Sequence, residues 1–128
     1  MMKLSYWMIA KAVVVVVFGI GFVLAPSVLG SLYGMALTPG GALLGQLFGT
    51  AFIFEGIVLW LSRNLNRSDV AMQAIMLAVV VSNVIGFLVT LFATLSNVWN
   101  ALGWLPVLLY LVFALGFAYF KWVKPTAA

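Results

Sequence analysis

The chain has 128 residues, 66% hydrophobic and only 6% charged, with a formal net charge of +4. About a quarter of an ordinary soluble domain is Asp, Glu, Lys or Arg, so this composition argues against a water-soluble fold and for one membrane domain over residues 1–128. With no Cys and no His, disulfides, thiol redox chemistry, thiolate metal sites and His-based general bases or haem ligands are excluded.

A helix needs about 20 residues to cross about 30 Å of hydrocarbon. Four stretches qualify. Span 1 runs from Leu4 to Leu29, behind Met1, Met2 and Lys3. It reads as a retained helix, since a signal peptide has a shorter apolar core and a small-residue cleavage site. Pro26 is expected to end its hydrocarbon part, leaving Ser27 to Met35 as a short interfacial helix. Thr38-Pro39-Gly40-Gly41 marks a turn before span 2, from Gly41 to Leu61. Span 3 runs from Val70 to Leu95, and Asp69 favours its start. Asn97 to Trp104 is a tight turn in which Asn100 caps span 4, from Ala101 to Phe120. Pro106 falls in the first turn of that span, where its missing N–H costs nothing. The expected fold is all-α, a bundle of four transmembrane helices.

Lys3, Arg63, Arg67, Lys121 and Lys124 fall at the N-terminus, the second loop and the C-terminus, while the first and third loops carry no charge. The positive-inside rule then predicts both termini in the cytoplasm and a multi-pass protein of the inner membrane. Tyr6, Trp7, Trp60, Tyr119 and Trp122 are expected at the inner interface, and Tyr33, Trp99 and Trp104 at the outer one. The basic residues flank apolar segments, so they read as helix anchors and headgroup contacts rather than as a nucleic-acid surface. Arg63, Arg67 and Asp69 read as an ordinary solvated cap.

Few polar groups lie inside the spans. Glu55 is the only acid there, about five residues from Trp60 and thus roughly 7 Å into the membrane at 1.5 Å per residue. Intramembrane charges usually face the bundle and have partners. Lys11, at similar depth on the antiparallel neighbour, is the candidate. The pair would be a proton-linked site or a purely structural ion pair. In the other reading, Lys11 snorkels to the headgroups while Glu55 is protonated or hydrogen-bonded. Asn83 lies near the middle of span 3, with Gly86, Thr90 and Thr94 on nearly the same face. Its amide needs a partner, as polar glue between helices or in a small cavity, and Gln46 and Thr50 on span 2 are candidates.

Gly41, Gly45 and Gly49 recur every four residues and form one smooth stripe. Such stripes let backbones approach where lipid removes the hydrophobic drive for association. The stripe is expected to pack within the chain against span 1, where Gly19 and Gly21 lie, or to form a seam between copies, and Gly86 on span 3 is a separate candidate for helix packing. No nucleophile–base pair, phosphate loop or metal cluster is present, so an enzyme, a cofactor and a metal site are not expected.

Ala25-Pro26, Leu32-Tyr33-Gly34, the Gly-rich segment from Leu44 to Trp60-Leu61-Ser62-Arg63-Asn64, and Asn100-Ala101-Leu102-Gly103-Trp104 resemble small bacterial four-helix membrane proteins of the DoxX-like kind. The resemblance spans most of the chain. It implies a place beside quinone-linked redox enzymes or thiol-stress systems, of which the thiol part is closed to a chain without Cys. It carries over no catalytic residue. The expected function is a non-catalytic membrane subunit or scaffold that binds a protein partner, or a lipid or quinone-like apolar ligand, between its helices. A small transporter or channel, with a polar path through Lys11, Glu55 and Asn83, is the alternative.

Overall fold

The computed structural model describes residues 3–124, so the first two and last four residues of the expected domain lie outside it. The described chain is helical, with no strand. Helix α1 spans Leu4–Leu24 and α2 spans Pro26–Leu32. They are followed by α3 (Pro39–Ser62), α4 (Val70–Leu95) and α5 (Trp104–Ala118). A 3-10 turn at Ala101–Gly103 precedes α5, and a π turn at Tyr119–Val123 continues it. Four helical stretches (α1, α3, α4 and α5 with its two turns) are long and apolar enough to cross a membrane.

Local chemistry sets the boundaries. The ring of Pro26 crowds the residue before it out of the helical region, and Ala25 sits at φ −145°, ψ 59°. The helical part of span 1 therefore stops at Leu24, and Pro26 opens α2 at its first position, where no N–H is needed. Gly34, at φ 76°, closes α2. Met35 N–H reaches back to Gly30 O (2.7 Å) and Gly34 N–H to Ser31 O (3.0 Å), satisfying carbonyls the helix end would orphan. The Thr38 hydroxyl accepts from Gly41 N–H at 3.0 Å and starts α3. Asn97, at φ 56°, ends α4 in the same manner as Gly34, with Val98 N–H on Ala93 O at 3.0 Å.

Successive long helices run antiparallel, in two pairs. In the first, Gly19 and Gly49 bring α1 and α3 together. A Cβ on Gly49 would lie 2.6 Å from Gly19 O, and one on Gly19 would lie 2.8 Å from Gly49 O. Gly56 continues the seam against Ala12, Val15 and Val16. The expected stripe is thus redrawn. Gly49 is central and Gly45 meets Phe22 and Pro26, but Gly41 faces only its own loop at Leu37 and Thr38. Gly21 faces Leu29 instead of α3. In the second pair, the ring of Tyr110 on α5 lies across Gly86 of α4, with no room for a Cβ.

The pairs join most fully at the end that carries the basic residues. Met8, Leu59, Met72, Met76, Phe117 and Phe120 are almost wholly buried there. Arg67 is not a solvated cap. Its guanidinium donates to Phe120 O and, at 2.6 Å, to Lys124 O. Lys121 donates to the Gln73 side chain at 2.8 Å, so the second loop, α4 and the chain's last described turn are tied together. At the opposite end, Asn100 ties the third loop to the first: its backbone N–H donates to Tyr33 O and its side-chain amide to Leu32 O, both at 2.9 Å. Asn100 Oδ1 also accepts from Leu102 N–H at 3.0 Å, capping the turn into α5.

Candidate functional site: a polar floor under an apolar cavity

Lys11, Glu55 and Asn83 come from α1, α3 and α4 and meet at one point. Lys11 Nζ lies 3.3 Å from Glu55 Oε1 and 3.1 Å from Asn83 Oδ1. The ring of Phe113, from α5, is 5.0 Å from the ammonium, so all four long helices contribute. Lys11 is buried at 3% exposure and does not reach toward the basic end. Asn83 turns its amide N–H to Val79 O at 2.6 Å, on its own helix, which aims Oδ1 at the ammonium. The placement follows from helix periodicity: Met8, Lys11, Ala12 and Val15 share the buried face of α1.

The cluster forms the floor of a cavity of about 650 Å³ between the two helix pairs. Its walls are mostly aromatic and aliphatic: Phe18 and Phe22 from α1, Phe48 and Phe52 from α3, Ile85 and Val89 from α4, and Leu109 and Tyr110 from α5. Gly86 and Thr90 line it as well. Tyr33 and Trp99, with ring centroids 5.1 Å apart, stand at its far end, where burial pushes the Tyr33 phenol above its ordinary pKa. Below the floor, the buried Met and Phe side chains separate the polar groups from the basic end.

The other expected polar contacts resolve locally. Gln46 and Thr50 are exposed and do not meet Asn83. Gln46 Nε2 donates to Val23 O at 3.1 Å, and Thr50 Oγ1 to Gln46 O at 3.0 Å. An amide or hydroxyl in an apolar setting is satisfied by the nearest backbone carbonyl, and here that carbonyl lies on α1 or on the preceding turn of α3. Thr90 and Thr94 bond Gly86 O (2.7 Å) and Thr90 O (2.8 Å) in the same way. Thr94 Oγ1 also accepts from the Trp99 indole at 2.7 Å, which fixes the half-buried Trp99 ring against the end of α4.

Sequence reasoning missed Phe113, Tyr110 and Gly56. Aromatic residues are so frequent here that no pattern singles out the two rings, but the seven-residue step from Gly49 to Gly56 was readable. A second, shallower groove of about 360 Å³ runs along the outer side of the α1–α3 seam, by Val13, Val17, Ile57 and Leu61, without a charged side chain. Among the described residues, no group of three or more His, Cys, Asp or Glu could hold a metal. Comparison with protein families, with curated proteins and with solved structures finds no match.

Proposed function

We propose that this chain is a non-catalytic, multi-pass inner-membrane protein that holds an apolar ligand of lipid or quinone-like character between its two helix pairs. Kinship with DoxX-like proteins, and cytoplasmic placement of both termini, belong to the same proposal. The observation that carries it is the 650 Å³ cavity with apolar walls and one polar floor. Sites for small molecules commonly have this size and make-up, with a few placed polar groups among apolar ones. A role as a subunit or scaffold is compatible with it, the ligand then being shared with a partner protein.

The transporter or channel reading is less well supported. Lys11, Glu55 and Asn83 do come together, but as one compact cluster above a closed apolar core, not as a path along the bundle.

The test is native mass spectrometry of the protein gently released from its own membranes. A discrete adduct below 1 kDa is expected on the wild type, and Ala51→Trp, which fills the cavity from its exposed side, should strip most of it. A wild type that carries no such adduct, or an adduct that survives Ala51→Trp undiminished, would sink the reading. A stoichiometric protein chain in place of the small adduct would shift the gap between α3 and α4 to a partner helix.

A further inference from the structure

We propose that the cavity selects neutral lipids with a hydroxyl head, which reach it sideways between α3 and α4; the inference rests on the apolar-ligand reading above. The route follows from which lining residues are exposed. They are Phe48 and Ala51 on α3, and Ser82, Ile85 and Val89 on α4. Helix α3 packs on α1, and α4 on α5, while α3 does not pack along α4 among the described residues. One end of the cavity is closed by the Met and Phe core. The other is covered by α2 and the Tyr33–Trp99 pair. The opening is therefore a slot in the apolar flank of the bundle, and a molecule arriving there comes from hydrocarbon.

The head group follows from charge and hydrogen-bonding capacity at the floor. Lys11 is already met by Glu55, Asn83 and the Phe113 ring. The Glu55 side chain is 25% exposed and lines the same space. A carboxylate only accepts hydrogen bonds, so it calls for a donor on the ligand. The ion pair sums to zero charge. A phosphate or sulfonate head would meet the Glu55 carboxylate with no spare positive charge to balance it. An ammonium head would meet Lys11 in the same way, and like charges brought together in a dry site repel strongly. A hydroxyl fits both needs: it donates to Glu55 and can accept from the phenol of Tyr110 on the lining, the Ser82 hydroxyl being already spent on Val79 O at 3.1 Å. A head with carbonyl oxygens alone offers Glu55 no donor.

The experiment uses two photoactivatable probes with identical long diazirine-bearing chains, one ending in an alcohol and the other in a sulfonate. Each is incorporated into vesicles holding the intact protein, and crosslinks are mapped by mass spectrometry. In the wild type, the alcohol should label Phe48–Phe52 and Ile85–Val89 about tenfold more than the sulfonate, equivalent to about 1.4 kcal/mol of discrimination. Glu55→Gln leaves Lys11 uncompensated and should invert that ratio. Equal labelling of the lining by both probes, unchanged in Glu55→Gln, overturns the head-group selection while leaving the ligand reading intact. Labelling confined to the outer faces by both probes overturns the ligand reading itself. Should Glu55→Gln fail to accumulate, the apolar pair Lys11→Met with Glu55→Leu serves instead. There the alcohol must fall to the level of a headless alkane probe, and an undiminished preference for it defeats the proposal.

Discussion

At the scale of single residues, the Lys11–Glu55 pair is the costliest local feature and the one most open to measurement. Removing one partner of a buried pair strands the other charge, at about 3–5 kcal/mol, whereas replacing both with apolar groups of similar volume is often neutral or stabilising. Glu55→Leu should therefore destabilise the protein by about 3 kcal/mol, the low end because Glu55 is partly exposed. The double variant Lys11→Met with Glu55→Leu should recover most of that loss. Thermal unfolding of the four corners of this cycle in one detergent checks it, and a double variant no better than Glu55→Leu alone would mean the pair is not what the site depends on. That a charge pair is kept where Met and Leu would do is itself a reason to look for a ligand there. Asn100 is the other residue with several duties. Asn100→Ala gives up the bond to Leu32 O and the cap on Leu102 N–H, and should lower stability by about 1–2 kcal/mol in the same assay.

Among elements, the α1–α3 seam turns on glycine contacts that differ sharply along one helix. At Gly49 an added methyl meets the carbonyl of Gly19, a backbone atom that cannot step aside. Gly49→Ala should force the helices apart and cost about 1–3 kcal/mol, the usual penalty of overpacking. At Gly40, in the first turn of α3, the nearest atom is the Thr38 hydroxyl at 4.0 Å. Gly40→Ala should be neutral or raise stability by up to about 1 kcal/mol, since it restricts only the unfolded chain. Melting temperatures of the two variants side by side decide the matter, and equal effects would contradict the seam described here. Much of this was legible in advance. The break at Pro26 and the start of α3 at Thr38 follow their signals, because those act over a few residues of backbone, whereas the stop of α2 at Leu32, before Gly34 and short of the expected Met35, was not read. The stripe was only half legible, because spacing tells which glycines share a face but not how far along that face the partner helix extends.

At the scale of the whole molecule, five of the six basic side chains fall at one end, Lys11 alone being buried inside the bundle, and the other end is held by uncharged contacts between Tyr33, Trp99 and Asn100. Under the proposed orientation, the basic end faces the cytoplasm. The chain has no Cys, so single thiols can be added at will. Ser68→Cys in the second loop should react with a membrane-impermeant maleimide only from the cytoplasmic side, and Ser96→Cys at the end of α4 only from the outside. Reversed accessibility, or reaction of both from one side, would refute the topology.

Length, hydropathy and charge asymmetry by themselves determined that this chain makes four long apolar helices with one basic end, because those properties are summed over a span and do not depend on neighbours. Counting residues from the interface also put Lys11 and Glu55 at similar depth, with Asn83 expected nearer the middle of its span. Only the tertiary structure decided that the three meet at one point and that Gln46 and Thr50 stay outside. It also decided that Gly56 replaces Gly41 in the seam and that α3 stands apart from α4, so that a cavity opens between the pairs. The physical reason is that a helix's rotation about its axis, and the choice of which neighbour it packs on, are set by interlocking side chains across two surfaces. In a chain apolar on nearly every face, no hydrophobic stripe marks that choice in advance.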